Sequence, residues 1–183
     1  MKKIIAPLLI AAAVLFQSCR GPEGPQGPAG TGDALVGTTF DFVGVDFNAA
    51  NDYQVGLTFQ DADLGVEVLE SDAVLVYIDW EETNVGGQPL KSYRLLPQTA
   101  FINNGILTYN FDRTARDFSV FLDGTVNRAT LPARYTQDQD FRVVILPADF
   151  AARTSGTLDY NDYNAVVKAF NIDESKIRKI SVK

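Results

Sequence analysis

From about Leu35 onward the chain repeats one pattern, short runs in which apolar and polar residues alternate, separated by turn signals. Val74, Val76, Ile78 and Trp80 fall on one face of such a run. Leu107, Tyr109 and Phe111 alternate with Thr108, Asn110 and Asp112, and Phe118, Val120 and Leu122 alternate with Asp117, Ser119 and Asp123. Val55, Leu57 and Phe59 obey the same rule, as do Phe141, Val143 and Ile145. Successive side chains of a strand point to opposite faces, so each run predicts a strand with one face on a core and one in water. Many such strands exclude a helical bundle. The fold class expected is mainly β: an antiparallel β-sandwich, with a barrel-like closure as the alternative.

Turn chemistry points the same way. Asn104-Gly105 and Asp123-Gly124 read as tight type I′ hairpins, because both central residues of that turn need positive φ. Asn84-Val85-Gly86-Gly87 reads as a longer hairpin loop after Trp80. One segment departs from the β period. Tyr163, Val166, Val167 and Phe170 lie at helical spacing, which predicts an amphipathic helix packed on the sheet. Asp159, Asn161 or Asp162 is expected to cap its start and Asn171 to end it, with a last strand between Ile177 and Val182. Residues 35–183 are therefore read as a single β-rich globular domain, of a size that suits one core.

Composition limits the chemistry. The chain has no histidine and one cysteine, Cys19. Ser-His-Asp and Cys-His catalysis, histidine-ligated metals and an internal disulfide all drop out. Apolar residues make up 46% and charged residues 21%, as in ordinary folded domains. The net charge is -7. Losing Lys2 and Lys3 with a leader leaves 14 basic residues against 23 acidic ones, or -9. An acidic surface repels phosphate backbones, so no nucleic-acid partner is expected.

The first 18 residues carry the marks of an export leader. Lys2 and Lys3 form a positive start, and Ile4 to Phe16 form an apolar core. That core is too short for a membrane-spanning helix, which needs about 20 residues. Ser18 before Cys19 resembles the site cut by lipoprotein signal peptidase, so residues 1–18 read as a lipoprotein signal peptide. After Cys19 and Arg20 comes GPEGPQGPAGTG, with Gly21, Gly24, Gly27 and Gly30 at a collagen-type spacing. Residues 19–34 are read as a lipidated cysteine and a collagen-like, polyproline-II tether, reaching on the order of 35 Å at about 3.1 Å per residue. A monomer is expected, with a trimer through the G-x-y run as the alternative.

The leader, the cysteine and the GPxGPxGPx run together resemble a group of short collagen-like lipoproteins of Bacteroidetes-type bacteria. FRVVILP at 141–147, LDYNDYNAVVKAFNI after it and the closing IRKISVK are similar to the ends of that group. The resemblance implies cleavage before Cys19, acyl chains such as palmitate on that cysteine, and attachment to the outer membrane of the cell envelope. It implies an address more than an activity. Surface-exposed members often carry an acidic run after the cysteine, whereas Arg20–Ala29 holds only Glu23, so periplasmic and outward-facing placements both stand.

Candidate chemistry beyond the anchor is thin. Asp46-Phe47-Asn48 with Asn51-Asp52, Asp61-Ala62-Asp63 and Asp138-Gln139-Asp140 offer oxygens for calcium, yet none has an EF-hand pattern, and solvated turns explain them better. Glu81-Glu82 beside Trp80 suggests a glycosidase pair, but neighbours on a strand point apart. Tyr77, Tyr93, Tyr109, Tyr135 and Tyr160 are candidates for stacking on sugar rings. No catalytic residue, metal site or cofactor is expected. The reading is a membrane-anchored envelope or surface lipoprotein with a non-catalytic binding or structural β-domain and an unknown protein or glycan partner. The alternatives are a carbohydrate- or peptide-binding module and a hydrolase using carboxylates only.

Overall fold

The strand periods place themselves on two sheets. The computed structural model describes residues 37–65, 67–148 and 158–182. Nine strands occur among them: β1 (Thr38–Val45), β2 (Gln54–Thr58), β3 (Ala73–Val85), β4 (Gln88–Leu95), β5 (Gln98–Ile102), β6 (Gly105–Arg113), β7 (Asp117–Gly124), β8 (Gln139–Leu146) and β9 (Arg178–Ser181). One sheet runs β4-β3-β8-β1-β9 and the other β2-β7-β6-β5. The two stay separate, so the architecture is a β-sandwich and the barrel-like alternative is set aside. Pairing is antiparallel except at one edge, where β9 lies parallel to β1, with Phe40 opposite Arg178 and Phe42 opposite Ile180. A parallel pair needs a long crossover rather than a hairpin, and the single α-helix of the described residues, α1 (Tyr163–Phe170), lies within that crossover.

The predicted faces meet between the sheets. Phe40 and Phe42 of β1, Val74, Val76 and Ile78 of β3, and Phe141, Val143 and Ile145 of β8 pack on Leu107 and Tyr109 of β6 and Phe118, Val120 and Leu122 of β7. A second apolar layer lies on the far face of the five-stranded sheet. There Tyr77, Val144 and Leu146 meet Tyr163, Val166, Phe170 and Ile172 of the helical segment. β8 is consequently buried on both faces, which accounts for the uninterrupted apolar run VVIL where simple alternation predicts a half-exposed strand.

The helix begins and ends as its residues require. The Asp162 carboxylate accepts a hydrogen bond from the Ala165 N–H at 3.1 Å, and Asn171 closes the helix with φ at 50°. Arg142, the one basic residue of β8, ties α1 to the sheet. Its Nε and Nη2 donate to the two oxygens of Asp41 at 2.7 and 3.0 Å. Its Nη1 donates to the Tyr163 hydroxyl at 2.6 Å and to Glu174 at 2.7 Å. Burial opposes the charge on Arg142, but the Asp41 carboxylate outweighs it and holds the pKa above the ordinary arginine value.

All three turn expectations need correction. Gly86 and Gly87 do close the β3–β4 hairpin with φ of 61° and 83°, but as a two-residue loop, Val85 pairing with Gln88. Between β5 and β6 the loop is Asn103-Asn104, because Ile102 pairs with Gly105. Neither asparagine takes positive φ, so the turn is not type I′. Asp123-Gly124 is no hairpin at all. Gly124 ends β7 opposite Leu107 with φ at 129°, and a Cβ there would stand 2.0 Å from the Ile106 carbonyl oxygen. Glycine is required by close approach of two backbones, not by a reversal of the chain.

A candidate binding groove at one end of the sandwich

The side chains with free chemistry gather at the end of the sandwich where β8 begins. β3 carries a bulge there, with Asp79 opposite Tyr93 and Glu81 opposite Ser92. The extra residue is Trp80, which is half-buried beside the central core. Its ring meets the edge of Tyr109 with centroids 6.1 Å apart, and the Arg94 guanidinium lies 4.8 Å above it. The Tyr109 hydroxyl donates to the Tyr135 carbonyl at 2.9 Å, fixing the loop before β8 against β6. Arg134 in that loop lies 4.6 Å over the Tyr135 ring and donates to its hydroxyl at 3.1 Å.

Two hollows adjoin here. One, of about 550 Å³, runs between Trp80, Ala100, Tyr109 and Tyr135. The other, of about 630 Å³, lies between the Asn103-Asn104 turn and the segment Thr125 to Tyr135. Phe101, Arg134 and Tyr135 border both. Phe101 is 83% exposed on β5, an unusual position for a phenylalanine. Neighbouring Ile106, its cross-strand partner, is also exposed. An aromatic-lined concavity with a few polar groups at its rim is the ordinary form of a binding site for a small ligand or a sugar chain.

Beside the groove, on the outer face of the five-stranded sheet, Lys91 joins two acids. Its ammonium lies 2.6 Å from Asp79 and 3.3 Å from Asp140. Burial works against the Lys91 charge, but the hydrogen bond to Asp79 prevails and raises its pKa above the usual lysine value. The second oxygen of Asp79 is buried without a hydrogen-bond partner.

The remaining sequence candidates disperse. Tyr77 and Tyr109 are fully buried core residues, so they offer no face to a sugar, and burial raises the pKa of both. Tyr93 is half-buried under Arg142, with its pKa raised by burial to about 12. Tyr160 is exposed next to α1, where its carbonyl accepts from the Tyr77 hydroxyl. Of the five tyrosines, only Tyr135 borders the groove with an accessible ring. Glu81 is exposed at the bulge. The acidic loops have local duties: Asn48 and Asn51 cap one another, Asp61 accepts from the Thr58 hydroxyl, and Asp140 accepts from the Gly44 N–H. Among the described residues no group of three or more metal-ligating side chains gathers. Cys19, Gly21, Gly24, Gly27 and Gly30 lie outside the described residues.

Sequence reasoning singled out Trp80 and Tyr135 without joining them, and passed over Phe101, Arg94 and Arg134. The signal for Phe101 was present: on β5 it occupies the polar phase, one residue from the inward-facing Ala100. Comparison with family models, curated proteins and solved structures returns no match to the chain, so its chemistry is read from its own side chains.

Proposed function

We propose that the chain is a lipid-anchored protein of the cell envelope, held to the outer membrane through Cys19, whose β-sandwich is a non-catalytic binding domain. Its ligand lies in the groove between Trp80, Phe101 and Tyr135. The observation that carries this reading is the exposed Phe101 beside half-buried Trp80, at the end of the sandwich opposite to where the chain enters. Gly37 leads into β1, whose first residue Thr38 pairs with Ile145, whereas the last, Val45, pairs with Gln139 at the groove. β1 is eight residues long, so entry point and groove stand roughly 26 Å apart at about 3.3 Å per residue.

The non-catalytic reading is supported by the state of the facing acids. Asp79 and Asp140 share a single cation, each with one oxygen on the Lys91 ammonium. A general acid must release its proton to substrate and a base must keep a free lone pair. The Lys91 ammonium holds one oxygen of each acid against both roles, and the other oxygen of Asp79 is buried.

The anchor is tested by comparing native chain with Cys19→Ala after fractionation and after protease treatment of intact cells. The native chain is expected in the membrane fraction and the variant in the soluble fraction. Equal membrane retention of the variant overturns the lipid tether. Cleavage on intact cells assigns the groove to the outside, and protection until the envelope is opened assigns it to the periplasm.

A further inference from the structure

We infer that the groove takes a glycan bearing carboxylate groups, an inference that rests on reading the groove as the binding site. Arg134, which borders both hollows, holds the carboxylate, Arg94 over the Trp80 ring adds a second guanidinium outside their lining, and the rings of Phe101, Trp80 and Tyr135 hold the sugar faces.

The first reason is electrostatic. The mature chain carries a large excess of acid, 23 acidic residues against 14 basic ones once Lys2 and Lys3 are removed, yet the charges stacked on the groove aromatics are both arginines, and the one acid lining the hollows, Asp79, is held by Lys91. Neither has a carboxylate partner among the described residues. Most other guanidiniums of the described residues are engaged, Arg142 by Asp41 and Glu174, Arg178 by Asp63 and nearby carbonyls, and Arg113 by the carbonyls of Leu69, Glu70 and Asp72, whereas Arg116 shares the lack of a carboxylate. Two unpaired arginines on an acidic domain form a local attractor for anions.

The second reason is geometric. Each guanidinium lies over an aromatic ring, at 4.8 Å for Arg94 on Trp80 and 4.6 Å for Arg134 on Tyr135. Stacking removes rotamer freedom, and beyond the Nη2 of Arg134, which donates to the Tyr135 hydroxyl, the remaining guanidinium N–H groups have no partner among the described residues and suit a planar carboxylate bound through parallel hydrogen bonds.

The third reason separates glycan from peptide. The rim supplies side-chain amides, Asn103 and Asn104, both exposed and without a side-chain hydrogen-bond partner among the described residues. Amides match the paired hydroxyls of a pyranose ring, and aromatic faces match its C–H faces. A peptide would instead add as a strand along β5. That edge is only five residues long and is preceded by Pro97, which has no N–H to offer, and both features blunt an edge against strand addition.

Trp80 is the one tryptophan of the chain, so its fluorescence reports on the groove alone. The full-length protein in detergent micelles is titrated with a short galacturonate oligomer, a neutral glucose oligomer of the same length and a glutamate peptide. A saturable change is expected with the galacturonate oligomer only, weakening as ionic strength rises. Arg134→Gln is expected to weaken binding by about ten-fold or more, Arg94→Gln by less, and Arg134→Lys to restore only part, since charge without the fork is not enough. Unchanged denaturation midpoints establish that these exposed variants fold. An equal response to the neutral oligomer overturns the carboxylate assignment while leaving the groove as a sugar site. A response to the glutamate peptide alone overturns the glycan, and silence toward all three probes overturns the inference. Whether the groove binds anything is decided separately by the Phe101→Ala comparison described below.

Discussion

The two ends of the sandwich are built from the same class of side chain and do opposite things with it. At the end where the chain enters, Phe118 packs against Phe42, Phe40 and Phe59 with ring centroids 5.3, 5.8 and 6.0 Å apart. All four rings are buried and none carries a polar atom. At the groove end Phe47 and Tyr109 are buried, Trp80 and Tyr135 are half-buried, and Phe101 projects into solvent. Here three of these five rings have a polar attachment: a hydroxyl on a carbonyl for Tyr109, a guanidinium overhead for Trp80 and for Tyr135. Aromatic content therefore does not locate a site. The graded exposure and the polar partners do, because a ring with one wet side is costly in a core and useful at a rim.

The largest effect should come from breaking the closed end. Phe118→Ala removes the ring on which Phe40, Phe42 and Phe59 converge, and a truncated core phenylalanine costs about 3–5 kcal/mol. The denaturant midpoint should fall sharply with little change in slope. A loss under about 1 kcal/mol would mean that this end is loosely packed and that the contrast between the ends is false.

What was legible in the sequence follows the same division. The inward faces of β2, β3, β6, β7 and β8 were readable because a period of two leaves little choice about which side is wet. The helix was readable for the same reason, with a period of 3.6, whereas its cap stayed open among Asp159, Asn161 and Asp162 until the fold chose Asp162. The failures involve contacts between distant segments. Gly124 looked like a turn glycine because local chemistry cannot announce that Ile106 of another strand will press on it. Nothing local to Arg142 announces that Asp41, 101 residues away, is its partner. β9 was expected as a strand, but nothing local states that it runs parallel to β1. The groove shares this fate: Trp80, Phe101 and Tyr135 come from a bulge, an edge strand and a loop, and only the fold assembles them.

Alkaline pH should strain the groove end and spare the closed end, which has only phenylalanines. Burial raises the pKa of Tyr109, so its folded-state value lies above that of an unfolded tyrosine, near 10. The stabilisation from keeping Tyr109 neutral is complete below that unfolded value. It is lost as pH rises toward the folded value, since the unfolded chain releases its proton first. Tyr93, raised to about 12, adds to the same loss on the other face of the five-stranded sheet. Tyr109→Phe is expected to cost about 1 kcal/mol at neutral pH, where the hydrogen bond to the Tyr135 carbonyl is gone. It should also flatten the decline between pH 10 and pH 12 relative to the native chain. Denaturation midpoints measured across that window decide the matter. Parallel curves for the two proteins would remove Tyr109 from the alkaline response.

The smallest effect on stability should accompany the largest effect on binding, at Phe101. The side chain is 83% exposed, so its truncation removes little buried area, and Phe101→Ala should shift stability by no more than about 0.5 kcal/mol. Its ring stands where the two hollows of the groove meet, and a ligand spanning them must cover it. Screened side by side on a glycan array, the native chain should retain ligands that Phe101→Ala loses. A shared set of ligands for both proteins would place binding elsewhere on the domain and leave Phe101 as an exposed ring with no assigned task. A stability loss of about 2 kcal/mol or more would show instead that this phenylalanine belongs to the core of some larger assembly, and that the open end of the sandwich is open only in the isolated chain.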